Sequence, residues 1–171
     1  EAEQLLSRSA GLDPKEANTW SDLGMVRMRM DQPEESLPAF TRALELAPEH
    51  PDALNNMAQA LRKLGRFAQA RPLLERLVAL KPKAVQALYA LADTQSKLSE
   101  IDAAIRTYQQ ALKLAPDDAR IRLGLGDAYE SNGKFRQARM QYLSILRRDP
   151  DNALALARLL QLRDAAPEPE Q

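Results

Sequence analysis

Five prolines recur at one interval: Pro14, Pro48, Pro82, Pro116 and Pro150 stand 34 residues apart, with no insertion or deletion between them. A fixed period of this length means that one supersecondary unit is repeated, and a unit that small buries its apolar face only against its neighbours. Other columns keep the same register. Two are small: Gly24, Ala58, Ala92, Gly126, and Ala2, Ser36, Ala70, Ala104, Ala138. A third is large, Leu6, Phe40, Leu74, Tyr108, Tyr142, and a fourth aliphatic, Leu23, Met57, Leu91, Leu125, Leu159. Agreement among five columns excludes coincidence.

Inside each period the pattern reads helix, turn, helix. Leu54, Met57, Ala58 and Leu61 follow helical spacing over 53–64, and Ala70, Leu73, Leu74, Leu77, Val78 and Leu80 do so over 68–80. Turns are expected near Asp31, Gly65, Ser99 and Gly133, and the period prolines end the second helices. Ala, Leu, Arg, Glu and Gln dominate, with six glycines and 5% aromatic residues, a helical composition. A glycine within a helix costs about 1 kcal/mol against alanine. Gly24 and Gly126 therefore point to close helix crossings, with the Ala70 column as the opposing flat surface. Trp20 is expected to be largely buried. Pro38 and Pro72 share a phase inside second helices, where each removes one backbone hydrogen bond and should kink its helix on the convex side.

These residues resemble the tetratricopeptide repeat family. Trp20, Leu23, Gly24, Phe40, Ala43 and Pro48 fit its signature in the first full repeat, and Leu125, Gly126, Tyr129, Gly133, Ala138, Tyr142 and Pro150 in the last. The middle repeats keep Ala70, Pro82, Ala104, Tyr108, Ala111 and Pro116. Arg27 and Gln95 stand where the family prefers tyrosine, and Ser36 where it prefers alanine, which should loosen local packing. The resemblance implies an all-α, right-handed α-solenoid of stacked antiparallel helix pairs. Its repeats run 17–50, 51–84, 85–118 and 119–152. A half repeat (second helix) covers 1–16, another (first helix) covers 153–164, and 165–171 is a linker or tail. First helices would line the concave side, all within one solenoid domain.

Equal numbers of basic and acidic residues, 24 each, argue against a chain held to nucleic acid or anionic lipid by bulk charge. No apolar run approaches the roughly 18 residues of a membrane span. With no cysteine the redox compartment stays open, the cytoplasm being slightly favoured over the periplasm. The chain begins at Glu1 and reads as cut from something longer. The charge is uneven: residues 1–50 carry 10 acidic and 5 basic groups, and 51–171 carry 14 and 19. Arg62, Lys63, Arg66, Arg71, Arg76, Lys81 and Lys83 crowd the second repeat, either as a solvated face or as a docking patch for an acidic partner. Interleaved aromatics are missing and Glu75 interrupts the cluster, so nucleic acid is not the partner.

No catalytic, metal or cofactor constellation can be assembled. The lone His50 reads as a solvated turn residue, Gly124-x-Gly126 lacks a third glycine, and a carboxylate pair, Asp93 with Asp127, suits a basic partner or water better than acid–base chemistry. What the packing columns leave free is the groove face of each first helix. By translation its columns are Asn18, Asp52, Gln86, Arg120; Ser21, Asn55, Tyr89, Leu123; Met25, Gln59, Asp93, Asp127; and Met28, Arg62, Ser96, Glu130. The candidate partner-binding residues are Met25, Met28, Asn55, Asn56, Gln59, Arg62, Tyr89, Asp93, Arg120 and Asp127, a mixed polar surface suited to an extended peptide. The chaperone-tail clamp of some family members is not matched: of Ser21, Met25, Asn56, Gln86 and Ala90, only Asn56 carries the required residue type.

The expected function is a non-enzymatic protein–protein interaction scaffold holding a peptide or partner surface in its groove. Two alternatives stay open: the repeat arm of a larger bacterial enzyme, such as a sulfotransferase or glycosyltransferase fusion, and an arm of an envelope assembly or secretion complex. Both ends read as raw edges. Leu5 and Leu6 at one end, and Leu154, Leu156, Leu159, Leu160 and Leu162 at the other, offer apolar surface for end-to-end self-association of the fragment.

Overall fold

The computed structural model describes residues 16–165. The expected helix over 1–11, with Ala2, Leu5 and Leu6, and the tail from Ala166 onward lie outside the described residues. Among the described residues there are nine helices and no strand: α1 (Ala17–Arg29), α2 (Pro33–Leu46), α3 (Pro51–Lys63), α4 (Phe67–Leu80), α5 (Val85–Lys97), α6 (Ile101–Leu114), α7 (Ala119–Ser131), α8 (Phe135–Leu146) and α9 (Ala153–Ala165). No described helix is long and apolar enough to cross a membrane. The described residues divide into two compact units, one ending at Ala87 and the other beginning at Leu88. Consecutive helices pack as pairs, α1 on α2 and α3 on α4 in the first unit, α7 on α8 in the second.

The four turns inside the helix pairs are built alike. Asp31, Gly65, Ser99 and Gly133 all take left-handed backbone, with φ of 61°, 72°, 62° and 69°. The next residue then donates its amide five residues back: Gln32 to Arg27, Arg66 to Leu61, Glu100 to Gln95 and Lys134 to Tyr129, at 2.8–3.0 Å. This satisfies carbonyls that a helix end leaves orphaned, in a Schellman closure. Three first helices are capped by side chains in another 34-residue column, whose members at 16 and 84 are a glutamate that makes no cap bond and an alanine. His50 Nδ1 accepts from the Ala53 amide at 3.2 Å, Asp118 Oδ1 from Arg120 at 2.9 Å, and Asn152 Oδ1 from Ala155 at 3.1 Å. His50 is thus a structural cap rather than a merely solvated residue.

Burial follows the columns. Ser36, Ala70, Ala104 and Ala138 are wholly enclosed, as are Phe40, Leu74, Tyr108 and Tyr142 to within 2%. A further buried column, Thr19, Ala53, Ala87, Ile121 and Ala155, lies beside them. In the first unit Leu54, Leu77 and Ala87 form a cluster with Leu44, Leu73, Val78 and Ala84; in the second, Ala138, Tyr142 and Leu162 do so with Leu123, Tyr129 and Leu159. The glycines meet the large column, not the Ala70 column: a Cβ on Gly24 would lie 2.5 Å from Phe40 Cε1, and one on Gly126 would lie 2.3 Å from Tyr142 Cε1. An aromatic ring laid flat on the helix needs the space of the missing side chain. The next member of that small column is Leu160, and it is 58% exposed.

Trp20 is mostly covered, as expected, beside the enclosed Thr19, Leu23 and Gly24. Other local expectations are corrected. Gln95 and Ser36 are packed and bonded rather than loose: Gln95 Oε1 accepts from Thr107 Oγ1 at 2.8 Å, and Ser36 Oγ donates to the Pro33 carbonyl at 2.7 Å. Arg27 donates to the Glu35 carbonyl at 2.9 Å. Pro38 and Pro72 are exposed, each the sixth residue of its helix, so the carbonyl each leaves without a donor is close to the helix start. The uneven charge also resolves: Lys63 pairs with Asp31, and Arg66 with Glu34 at 2.9 Å, joining the basic second repeat to the acidic first. Arg71 faces Glu75 at 3.6 Å and Arg76 donates to the Pro48 carbonyl, so four of the seven basic residues have partners within the chain, while Lys81 and Lys83 are exposed.

Candidate partner-binding hollows

Part of the groove-face set lines two hollows, one in each unit. That of the first unit, about 370 Å³, is lined by α1 and α3 through Asn18, Ser21, Asp22, Met25, His50, Asp52 and Asn56. Its wall is braced by His50. Because Nδ1 accepts from Ala53, Nε2 carries the ring hydrogen and donates to Asn18 Oδ1, 2.7 Å away. Asn56 Oδ1 accepts from Asn55 Nδ2 at 3.2 Å. Ser21, read as a groove residue by translation, is only 3% exposed and sits at the base.

The hollow of the second unit is larger, about 450 Å³, and takes side chains from α5, α6, α7 and α9. Tyr108 forms its floor, resting on Gly124, where an added Cβ would be 2.5 Å from the ring. Gly124 is therefore a packing glycine, like Gly126. Tyr89 stands 6.1 Å from Tyr108, centre to centre, and carries the Arg120 guanidinium 5.6 Å above its ring. Arg120 is anchored in turn by Asp118 at 2.9 Å. This hydrogen-bonded ion pair holds the Asp118 carboxyl below the usual range and raises Arg120. On the opposite wall Arg158 grips both oxygens of Asp127, at 2.8 and 3.2 Å, and the Tyr142 hydroxyl donates to Asp127 Oδ1 at 2.8 Å, with Glu130 Oε2 at 3.2 Å. Burial above all, then the neighbouring carboxylates, pushes the Tyr108 and Tyr142 phenols well above their usual range, so both remain hydrogen-bond donors.

Of the ten candidate residues, the first hollow collects Met25 and Asn56, and the second collects Tyr89, Asp93, Arg120 and Asp127. Met28, Asn55, Gln59 and Arg62 are accessible but line neither. Sequence reading missed Arg158, Leu154 and Asp118. Arg158 was within reach: it continues the column Asp22, Asn56, Ala90, Gly124 by one period. Among the described residues, no three potential metal ligands come together.

Helix pairs repeated every 34 residues, closed by Schellman turns and offering the polar faces of their first helices to solvent, define a helical-repeat protein. The chain belongs to the tetratricopeptide repeat family: the profile of the cytochrome c-type biogenesis protein H TPR domain matches residues 11–121, and a general tetratricopeptide repeat profile matches 97–168. No curated protein matches the sequence. Similar solved structures include YrrB, described as a TPR protein with an unusual peptide-binding site, at 22% identity and a TM-score of 0.86 over 91% of this chain and 80% of that one. MamA (residues 41 to end) from Desulfovibrio magneticus RS-1 matches at 20% identity and a TM-score of 0.83, covering 90% and 86%. A tetratricopeptide repeat protein from Parabacteroides merdae matches at 20% and 0.85, covering 95% and 65%. At these identities the likeness is one of fold.

Proposed function

We propose that the chain is a non-enzymatic interaction scaffold whose first-helix faces hold an extended segment of a partner protein. The observation that carries this reading is the hollow around Tyr89. An aromatic ring, an exposed leucine (Leu154, 65%) and fixed polar groups share one open concavity whose floor is set by the core residue Tyr108. Such a surface gives a peptide an apolar seat and hydrogen-bonding walls without any group poised for chemistry. The described peptide-binding site of YrrB, on the same fold, supports the reading.

The match to a cytochrome c-type biogenesis domain favours a narrower version, in which this chain is the repeat arm of an assembly complex for c-type cytochromes. The test is capture of partners with the intact chain, identification by mass spectrometry, and calorimetric titration of the recovered partner. Tyr89→Ala is expected to weaken binding at least tenfold and Arg71→Ala, on the other helix of a pair, less than twofold. Equal loss from both would count against recognition by the first-helix face.

A further inference from the structure

The hollow of the first unit has a chemistry of its own. Its charged side chains are the carboxylates of Asp22, on α1, and Asp52, in the first turn of α3, and no lysine or arginine lines it. The Nδ1 of His50 is already occupied as the acceptor from Ala53. Neither carboxylate has an ion pair or hydrogen bond among the described residues, whereas Asp31, Glu34, Asp117, Asp118 and Asp127 are paired with cations.

A second observation is independent of charge. Ser21 is 97% enclosed, and the little of it that remains accessible opens into this hollow. Its hydroxyl has no partner among the described residues. Its oxygen keeps access to the hollow and can accept a hydrogen bond there. Beside it lies Met25, half-exposed, an unbranched thioether that adapts to an aliphatic stem.

We propose that this hollow is a receptor for a cationic side chain, lysine or arginine, of a bound peptide. The ammonium or guanidinium sits between Asp22 and Asp52 and donates to Ser21 Oγ, and the methylene stem lies along Met25, as long basic side chains lie along apolar surface. The proposal rests on the scaffold reading and adds a position-specific preference to it: a basic residue in the segment held by the first unit.

The test is two-dimensional NMR on the 15N- and methyl-13C-labelled intact chain, titrated with Nα-acetyl-lysine methylamide or with Nα-acetyl-norleucine methylamide, which keeps the methylene stem and lacks the ammonium. Lysine is expected to shift the Ser21 amide and the Met25 methyl saturably in the millimolar range. The response should fall at least fivefold in 0.5 M salt, and at least fivefold in Asp22→Asn/Asp52→Asn, whose exposed positions leave the fold intact. Norleucine is expected to leave these signals in place. An equal response to norleucine, an unchanged response in the double variant, or shifts spread over the whole surface would overturn the site. The scaffold reading fails separately: if a captured partner binds wild type and the double variant alike but loses affinity with Tyr89→Ala, the scaffold stands and the cation receptor falls.

Discussion

The ring of Tyr142 occupies the space that a side chain at position 126 would need, its Cε1 lying 2.3 Å from where a Gly126 Cβ would be. The ring is fully enclosed and its hydroxyl is tied to Asp127 and Glu130, so it has no room to retreat. Gly126→Ala gains about 1 kcal/mol of helix propensity and loses more to overpacking. The net expectation is a destabilisation of about 1–3 kcal/mol, measured by urea denaturation. Adding Tyr142→Leu, the residue type that Leu74 brings to the same column, should cost less than the sum of the two single changes. Additive losses would mean that the contact is not what selects glycine.

The left-handed turn residues give a prediction of opposite sign. Ser99 holds φ of 62° without being glycine, a conformation that costs an L-residue about 1 kcal/mol. Ser99→Gly is expected to stabilise the chain by a few tenths of a kcal/mol to about 1 kcal/mol, the gain being trimmed by the freer unfolded state. Gly65→Ala and Gly133→Ala should destabilise by about 1 kcal/mol although no atom lies within 4 Å of either added Cβ. Asp31→Gly should gain less than Ser99→Gly, because it also loses the pair with Lys63.

Acid stability follows from the paired carboxylates. Asp31 is lowered by its hydrogen-bonded pair with Lys63 and Asp118 by its pair with Arg120. A depressed folded value means stability that is complete above the unfolded pKa, about 3.9 for aspartate, and is lost as pH falls through the depressed value. The denaturation midpoint should therefore hold between pH 7 and about 5 and decline below about 4. Asp118→Asn keeps the helix cap, since asparagine caps as well as aspartate, but should flatten the acid limb of that curve.

Surface leucines on α9 separate folding from association. Leu154, Leu156 and Leu160 are 65%, 43% and 58% exposed, whereas Leu162 is buried. Leu156→Glu with Leu160→Glu is expected to shift the thermal midpoint by less than about 3 °C and to remove any concentration-dependent dimer seen by sedimentation. A large fall in the midpoint would show that these leucines serve the fold.

Much of this molecule could be read by sliding the sequence 34 residues at a time. The buried columns at Ser36, Phe40 and Leu23, the turn centres from Asp31 to Gly133, and the start of α9 all came from that operation, because apolar burial repeats with the backbone. The polar links did not. His50 reaches Asn18, Lys63 reaches Asp31 and Arg66 reaches Glu34 across 32 residues; Arg158 reaches Asp127 across 31, and Asn132 reaches Asp102 across 30. Those spacings depend on side-chain length and on which turn of a neighbouring helix is adjacent, so they blur in a search for one period. For the same reason a basic cluster that resembled a docking surface proved to be joined in part to the preceding repeat. The aromatic partner of Gly126 was hidden differently: the column of small residues was visible, but not which large column faces it.

Leu160 extends that last relationship. At Gly24 and Gly126 the first helix keeps a vacant seat, and the helix that follows fills it with Phe40 or Tyr142. On α9 the seat is filled by the helix's own side chain. Any helix laid over α9 at the earlier pitch must therefore bring a small residue where its predecessors bring a large one. The packing rule that reproduces itself from one pair to the next reverses its polarity here, the knob changing sides with the hole.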